Sequence, residues 1–258
     1  MTIEQELYQM ILLIAGIANL VMAFVLLHNN SWYRAYDVYH RACVFTAVVM
    51  TAFGLGFFMH AYFEWRTSWP VGASALSTSY FHLGGVFFGW SQTCLLSPRY
   101  PSKKEVVRDL SILTVGLIAY WTTAASASLL LFQLSQLIFF THCGYIAYFF
   151  YRTYYRVRRN LKQLKADDTA PYWWTPENKF IVLSSHHSFA ISCHLIILFG
   201  LGGVVVTALF PHDVTPFTIL LGLGIMVFVH IFYSLMNYGS VIESGTYATE
   251  DTDQSSIT

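Results

Sequence analysis

Charge is what this chain has least of. Asp, Glu, Lys and Arg make up 11% of its 258 residues, against about 25% in ordinary globular domains. So little charge excludes a disordered chain and a basic nucleic-acid-binding domain of the usual kind. Cysteine is scarce as well: there are four, no two of them in one outer loop. No disulfides are expected, and a disulfide-stapled secreted scaffold is excluded. The first six residues contain Glu4 and Glu6 but no Lys or Arg. The apolar run after them is too long for a signal core, so no cleaved signal peptide is expected. What the chain has in excess is apolar: 55% of residues are hydrophobic, and the mean hydropathy is +0.50.

The few charges leave long blank stretches at 7–33, 42–63, 67–98, 110–151, 180–212 and 214–242. A membrane crossing takes about 20 apolar residues. Five of the stretches hold one helix each. The stretch 110–151 would be about 63 Å long as one helix, enough for two crossings. The small, polar patch from Thr122 to Ser128 supplies the turn between them. The expected fold is therefore an all-α integral membrane protein, a seven-transmembrane-helix bundle. Its helices fall at about 7–27, 41–63, 74–96, 107–121, 129–151, 188–209 and 216–238.

Basic residues orient the bundle. Thirteen of the fourteen lie in alternate loops, and Arg66 alone lies on the other side. By the positive-inside rule the N-terminus is outside and the C-terminus cytoplasmic. Six of the seven tryptophans, all but Trp90, flank the predicted helices, as an interfacial belt requires. The outer loops are short, so a ligand would be met within the bundle or at a shallow outer mouth. The segment 152–165 opens with Arg152-Thr153-Tyr154-Tyr155-Arg156-Val157-Arg158-Arg159. It reads as a basic stem prolonging helix five, suited to anionic lipid headgroups or to a cytoplasmic partner. From Glu243 to Thr258 the chain is acidic and rich in Ser and Thr, which predicts a disordered tail or linker.

No Asp, Glu, Lys or Arg falls in the middle of a predicted helix. Without a Lys there is no retinal Schiff base. Without a buried carboxylate, a proton- or sodium-coupled transporter lacks its usual coupling group. A seven-helix zinc hydrolase that needs Asp and His together is disfavoured for the same reason. Histidine remains, and ionisable groups at membrane depth are functional candidates by default. His82, Gly85, Gly89 and Gln92 share a stripe of helix three, with the two glycines as a small-residue packing face. His230, Tyr233 and Asn237 form a similar stripe on helix seven. Gln133 and Gln136 share a face of helix five, with His142 offset from it. His60 stands four residues before Glu64, close enough to pair along one helix face.

Three readings of these residues stand side by side. They could be interhelical hydrogen bonds, worth about 0.6–2 kcal/mol each. His82, Gln92, His142, His230, Tyr233 and Asn237 could instead line a polar cavity for a small ligand. Or His142 and His230, at nearly equal depth, could be axial ligands of haem b in a membrane redox protein. Cys193-His194 and His142-Cys143 are thiol–imidazole neighbours, a weak signal for another metalloenzyme site. His186 and His187 read as interfacial.

The stretch Ser79-Tyr80-Phe81-His82-Leu83-Gly84-Gly85 through Leu95-Leu96-Ser97-Pro98, the stem from Tyr151 to Asp168, and the end Met236-Asn237-Tyr238 have a likeness beyond composition. Together they resemble the seven-helix membrane portion of bacterial membrane-anchored AraC-type helix-turn-helix regulators. The resemblance implies a sensor in the bacterial inner membrane that signals to a cytoplasmic module, with an acidic linker after the last helix. It implies no catalytic residues. These residues include no helix-turn-helix, so direct nucleic-acid binding is not expected. The resulting expectation is a non-enzymatic signal-receiving bundle without a cofactor, the b-type cytochrome being the alternative and a membrane metalloenzyme the third reading.

Overall fold

The computed structural model describes the backbone of residues 3–29, 37–97, 99–126, 128–163 and 176–255. It describes their side chains except at 160–163, 176–187, 189 and 239–255. Every regular element among the described residues is a helix: α1 (Ile3–Asn29), α2 (Asp37–Phe63), α3 (Trp65–Ser68), α4 (Pro70–Leu96), α5 (Lys103–Ala125), α6 (Leu129–Gln163), α7 (Pro176–Leu209) and α8 (Val214–Ser255). Five of them, α1, α2, α6, α7 and α8, contain segments long and apolar enough to cross a membrane.

The seven long helices fall where the blank stretches predict, with differences at their ends. The 110–151 stretch does divide, at Ser126 to Ser128. A Ser102–Glu105 capping box starts α5 one turn earlier than expected: the Ser102 side chain accepts from the Glu105 N–H, and Glu105 accepts from the Ser102 N–H. α6 is one rod of 35 residues, about 52 Å long, so the basic stem does prolong helix five as far as Gln163; the rest of 152–165 lies outside the described residues. α8 keeps helical backbone to Ser255, through most of the acidic segment read as a disordered tail. The four-residue α3 was not foreseen. It exists because Glu64 takes a left-handed conformation, φ 49°, and ends α2.

α4 is the hub. It packs against α2, α3, α5, α6 and α7, while α1 closes the bundle between α2 and α8. Nineteen of its 27 residues are buried. Small residues allow that crowding: a Cβ on Gly85 would meet Cys143 Sγ at 2.5 Å, and one on Gly89 would collide with Ile146. The glycine face anticipated from sequence therefore packs on α6. Aromatic rings fill the space toward α2, α7 and α8, where Phe53 of α2 contacts Tyr80, Phe81, Phe199 and Phe228.

The Gly89–Ile146 contact yields a prediction. Gly89→Leu forces α4 and α6 apart and should cost about 1–3 kcal/mol, read as a lower unfolding midpoint in detergent. Ile146→Ala in the same chain should recover part of that loss. A Gly89→Leu protein as stable as the wild type would refute the close packing.

Candidate functional site

α4, α5 and α6 meet around two imidazoles. His82 and His142 are buried, and so is Asp109 on α5. His82 Nε2 lies 2.9 Å from His142 Nδ1, and the Tyr120 hydroxyl lies 2.9 Å from His82 Nδ1. At the other end, His142 Nε2 stands 3.4 Å from Asp109 Oδ1, the loosest link. One assignment of protons, with both imidazoles neutral, satisfies the whole chain. Tyr120 donates to His82 Nδ1, His82 Nε2–H donates to His142 Nδ1, and His142 Nε2–H donates to Asp109. Every hydrogen bond then points toward the carboxylate.

Asp109 is well supplied with donors. Trp90 Nε1–H donates to its Oδ2 at 2.9 Å, and Arg108 Nε–H donates to its Oδ1 at 2.7 Å. Arg108 is partly exposed; it also donates to the Tyr145 hydroxyl at 3.0 Å and lies over that ring. On α5, Asp109, Leu113, Gly116, Tyr120 and Ala124 form one buried stripe. Between Asp109 and Tyr120 the polar chain covers about 16 Å of helix axis. Its far end lies near a cluster of Trp65, Trp69 and Trp121.

Asp109 corrects the premise that no carboxylate is buried. The helix begins a turn early, and helical periodicity rotates Asp109 inward while its neighbour Arg108 reaches toward the surface. The sequence argument against proton-coupled transport and Asp–His hydrolysis therefore lapses. The geometry does not build a metal centre in their place. His82 and Asp109 approach opposite nitrogens of His142, so the three groups do not converge on a point. Among the described residues no group of three or more His, Cys, Asp or Glu could hold a metal ion.

The six proposed ligand-binding residues separate into two sets. His82, Gln92 and His142 are buried in the bundle. On α8 the inward face is Phe228, Ile231 and Leu235. The His230 stripe is rotated away from it: His230 is half-buried, Tyr233 is 67% exposed and Asn237 is exposed. The residues do not fit the axial His142–His230 pair of the haem reading. His142 has both ring nitrogens in hydrogen bonds, and His230 sits on a helix whose main neighbours are α7 and α1.

Gln92 opens onto an apolar cleft of about 150 Å³ between α4, α6 and α7, lined also by Phe81, Gly85, Gly89, Cys143 and Cys193. Its Oε1 is buried without a partner. Gln136 Nε2 joins Thr78 of α4 at 3.2 Å and Thr207 of α7 at 3.1 Å, and Gln133 donates to the Ala208 carbonyl. His60 pairs with Ser77 at 3.1 Å, not with Glu64, because α2 ends at Phe63. All four cysteines are free thiols. His194 donates to the Ala190 carbonyl. The side chains of His186 and His187 lie outside the described residues.

Asp109, Trp90 and Tyr120 went unnoticed in the sequence. The signal was the spacing of Asp109, Leu113, Gly116 and Tyr120, one helix face carrying a carboxylate among apolar and small residues. Comparison with known protein families, curated proteins and solved structures finds no match.

Two predictions follow from the chain's geometry. Asp109→Ala strands the donors of Trp90, His142 and Arg108 and should cost about 3–5 kcal/mol of stability. Asp109→Asn should cost less; equal stability of Asp109→Ala and wild type would contradict the geometry. The visible absorption spectrum of purified protein, oxidised and reduced, should contain no Soret band that His142→Ala abolishes. Such a band would mean that His142 gives up a hydrogen bond to bind iron.

Proposed function

We propose that this chain is a membrane-embedded signal-sensing bundle that responds to a small ligand or to the state of the membrane and acts on a cytoplasmic partner. In this reading all seven long helices cross the bilayer, α4 and α5 included, with the N-terminus outside and the C-terminus in the cytoplasm. The low hydropathy of α4 comes from Ser, Thr, Gly, His and Gln side chains that face protein, not lipid. That of α5 comes from charges in its first two turns. The bacterial inner membrane is the location that the likeness to membrane-anchored AraC-type regulators implies.

The observation that carries this reading is the buried chain Tyr120–His82–His142–Asp109. It ties three helices through groups whose hydrogen bonding reverses when one proton or one contact changes. Sensing needs an element with two arrangements whose balance a stimulus can shift. The 3.4 Å hydrogen bond between His142 and Asp109 is the longest in the chain, near the outer limit for an N–H···O bond. A shift of a few tenths of an ångström in α6 makes or breaks it. The apolar cleft lies on the α7 side of α6, so an apolar ligand there would press on the helix that carries His142. The same helix runs on as the basic stem, where Arg152 and Arg156 are exposed to lipid headgroups or a partner.

Spin labels at Lys104 and Arg156, in full-length protein with its four cysteines replaced by serine, test the reading in liposomes. Distances between them should show two populations. His142→Ala and Asp109→Asn should shift their ratio at least threefold. One distance, the same in every folded variant, would make the network structural and overturn the sensor.

A further inference from the structure

The one basic residue outside the alternate loops is not on the surface. Arg66 is 2% exposed, folded by α3 against the start of α4. Its Nη1–H donates to Ser74 Oγ at 2.9 Å and its Nη2–H to Ser77 Oγ at 3.0 Å. The guanidinium carbon lies 3.6 Å above the Phe217 ring, and the Tyr8 hydroxyl stands beside it. All these partners are neutral. Among the described residues no carboxylate comes within 4.0 Å of the guanidinium, and its Nε–H has no acceptor. A cation taken out of water and given only neutral neighbours is poorly compensated, and proteins ordinarily pair such a charge.

Arg66 borders a cleft of about 280 Å³ whose walls include Tyr8, Gln9, Glu64 and Thr67. Glu64 is exposed and lies beyond ion-pair distance of Arg66, so the cleft holds one charge of each sign that do not neutralise each other. Glu64 is also the one described non-glycine residue with positive φ. Backbone strain of this kind persists where the surroundings impose it. We infer that this cleft binds a small zwitterion, with its oxyanion on Arg66 and Tyr8 and its ammonium on Glu64. The guanidinium has five N–H donors and the two serines take two of them, which leaves capacity for an oxyanion. The cleft sits at the end of the bundle away from the basic loops, so the zwitterion arrives either as a free molecule or as the phosphoethanolamine headgroup of a lipid.

The test uses full-length protein in detergent micelles with three probes: phosphoethanolamine, inorganic phosphate and ethanolamine. Phosphoethanolamine should raise the unfolding midpoint by several degrees, phosphate by less, and ethanolamine not measurably. Arg66→Gln should weaken phosphoethanolamine binding at least tenfold. Because Arg66 also packs against Phe217, the exposed Glu64→Gln supplies the variant that keeps the fold; it should retain phosphate binding and lose the preference for phosphoethanolamine. Mass spectrometry separates the two sources. Phosphatidylethanolamine retained in stoichiometric amount and displaced by phosphoethanolamine means a lipid, and soluble binding with none retained means a free molecule. The assignment is overturned if no probe stabilises folded wild-type protein and no lipid is retained. It is equally overturned if phosphate and phosphoethanolamine act alike, or if Glu64→Gln keeps the preference.

Discussion

Everything in this bundle depends on the enclosure of α4. Its side chains include histidine, glutamine, serine and threonine, which lipid would leave without hydrogen-bond partners at a large cost. They are tolerable only if other helices surround them, and α2, α3, α5, α6 and α7 do so. Enclosure in turn requires close approach, which the small residues of α4 permit on the α6 side. The hub is thus polar because it is enclosed, and it can be enclosed because it is small. Helices α1 and α8, with their long exposed apolar surfaces, complete the bundle around it.

Two buried charges then occupy opposite ends of the molecule in contrasting states. Asp109 is compensated: Arg108 supplies a counter-charge, and Trp90 and His142 supply neutral donors. Arg66 is not: among the described residues its neighbours are two serines, the Tyr8 phenol, the His60 imidazole and the Phe217 ring, with no carboxylate in ion-pair range. A compensated charge next to a loose 3.4 Å contact suits a rearrangement inside the protein, because partners can be exchanged without leaving a charge bare. An uncompensated charge at the edge of a cleft suits association, because the missing partner can come from outside.

Much of the helix architecture was legible in the sequence. Where charges are absent over twenty or more residues, a helix in lipid is the only element that satisfies its own backbone, and blank runs locate it. The inward stripe of His82, Gly85, Gly89 and Gln92 was legible too, because glycines at helical spacing mark a packing face. The stripe of His230, Tyr233 and Asn237 misled, since polarity alone does not say which face is inward; Phe228, Ile231 and Leu235 are the residues buried there. Asp109 was missed because charges were sorted by depth along the chain and not by helix face. Arg66 was visible as an exception to the charge alternation, but its burial depends on the break at Glu64, and nothing local in Phe63-Glu64-Trp65 announces a left-handed residue.

The coupling of the polar chain to the rest of the molecule comes down to α6. Its inner face carries Gln136, which holds α4 and α7, and one further turn and a half along carries His142, which holds α4 and α5. The apolar cleft lies beyond Gln136, between α7 and the part of α6 from Phe139 to Phe150. Gln136 bonds two neutral hydroxyls and is indifferent to protonation, so it acts as a fixed point. His142 lies at the junction of two imidazoles and a carboxylate, so its hold on α5 is conditional. In the proposed sensing role, a helix fixed at one level and conditionally held at the next would tilt about the fixed level. The excursion would then grow with distance along the rod and be largest in the basic stem.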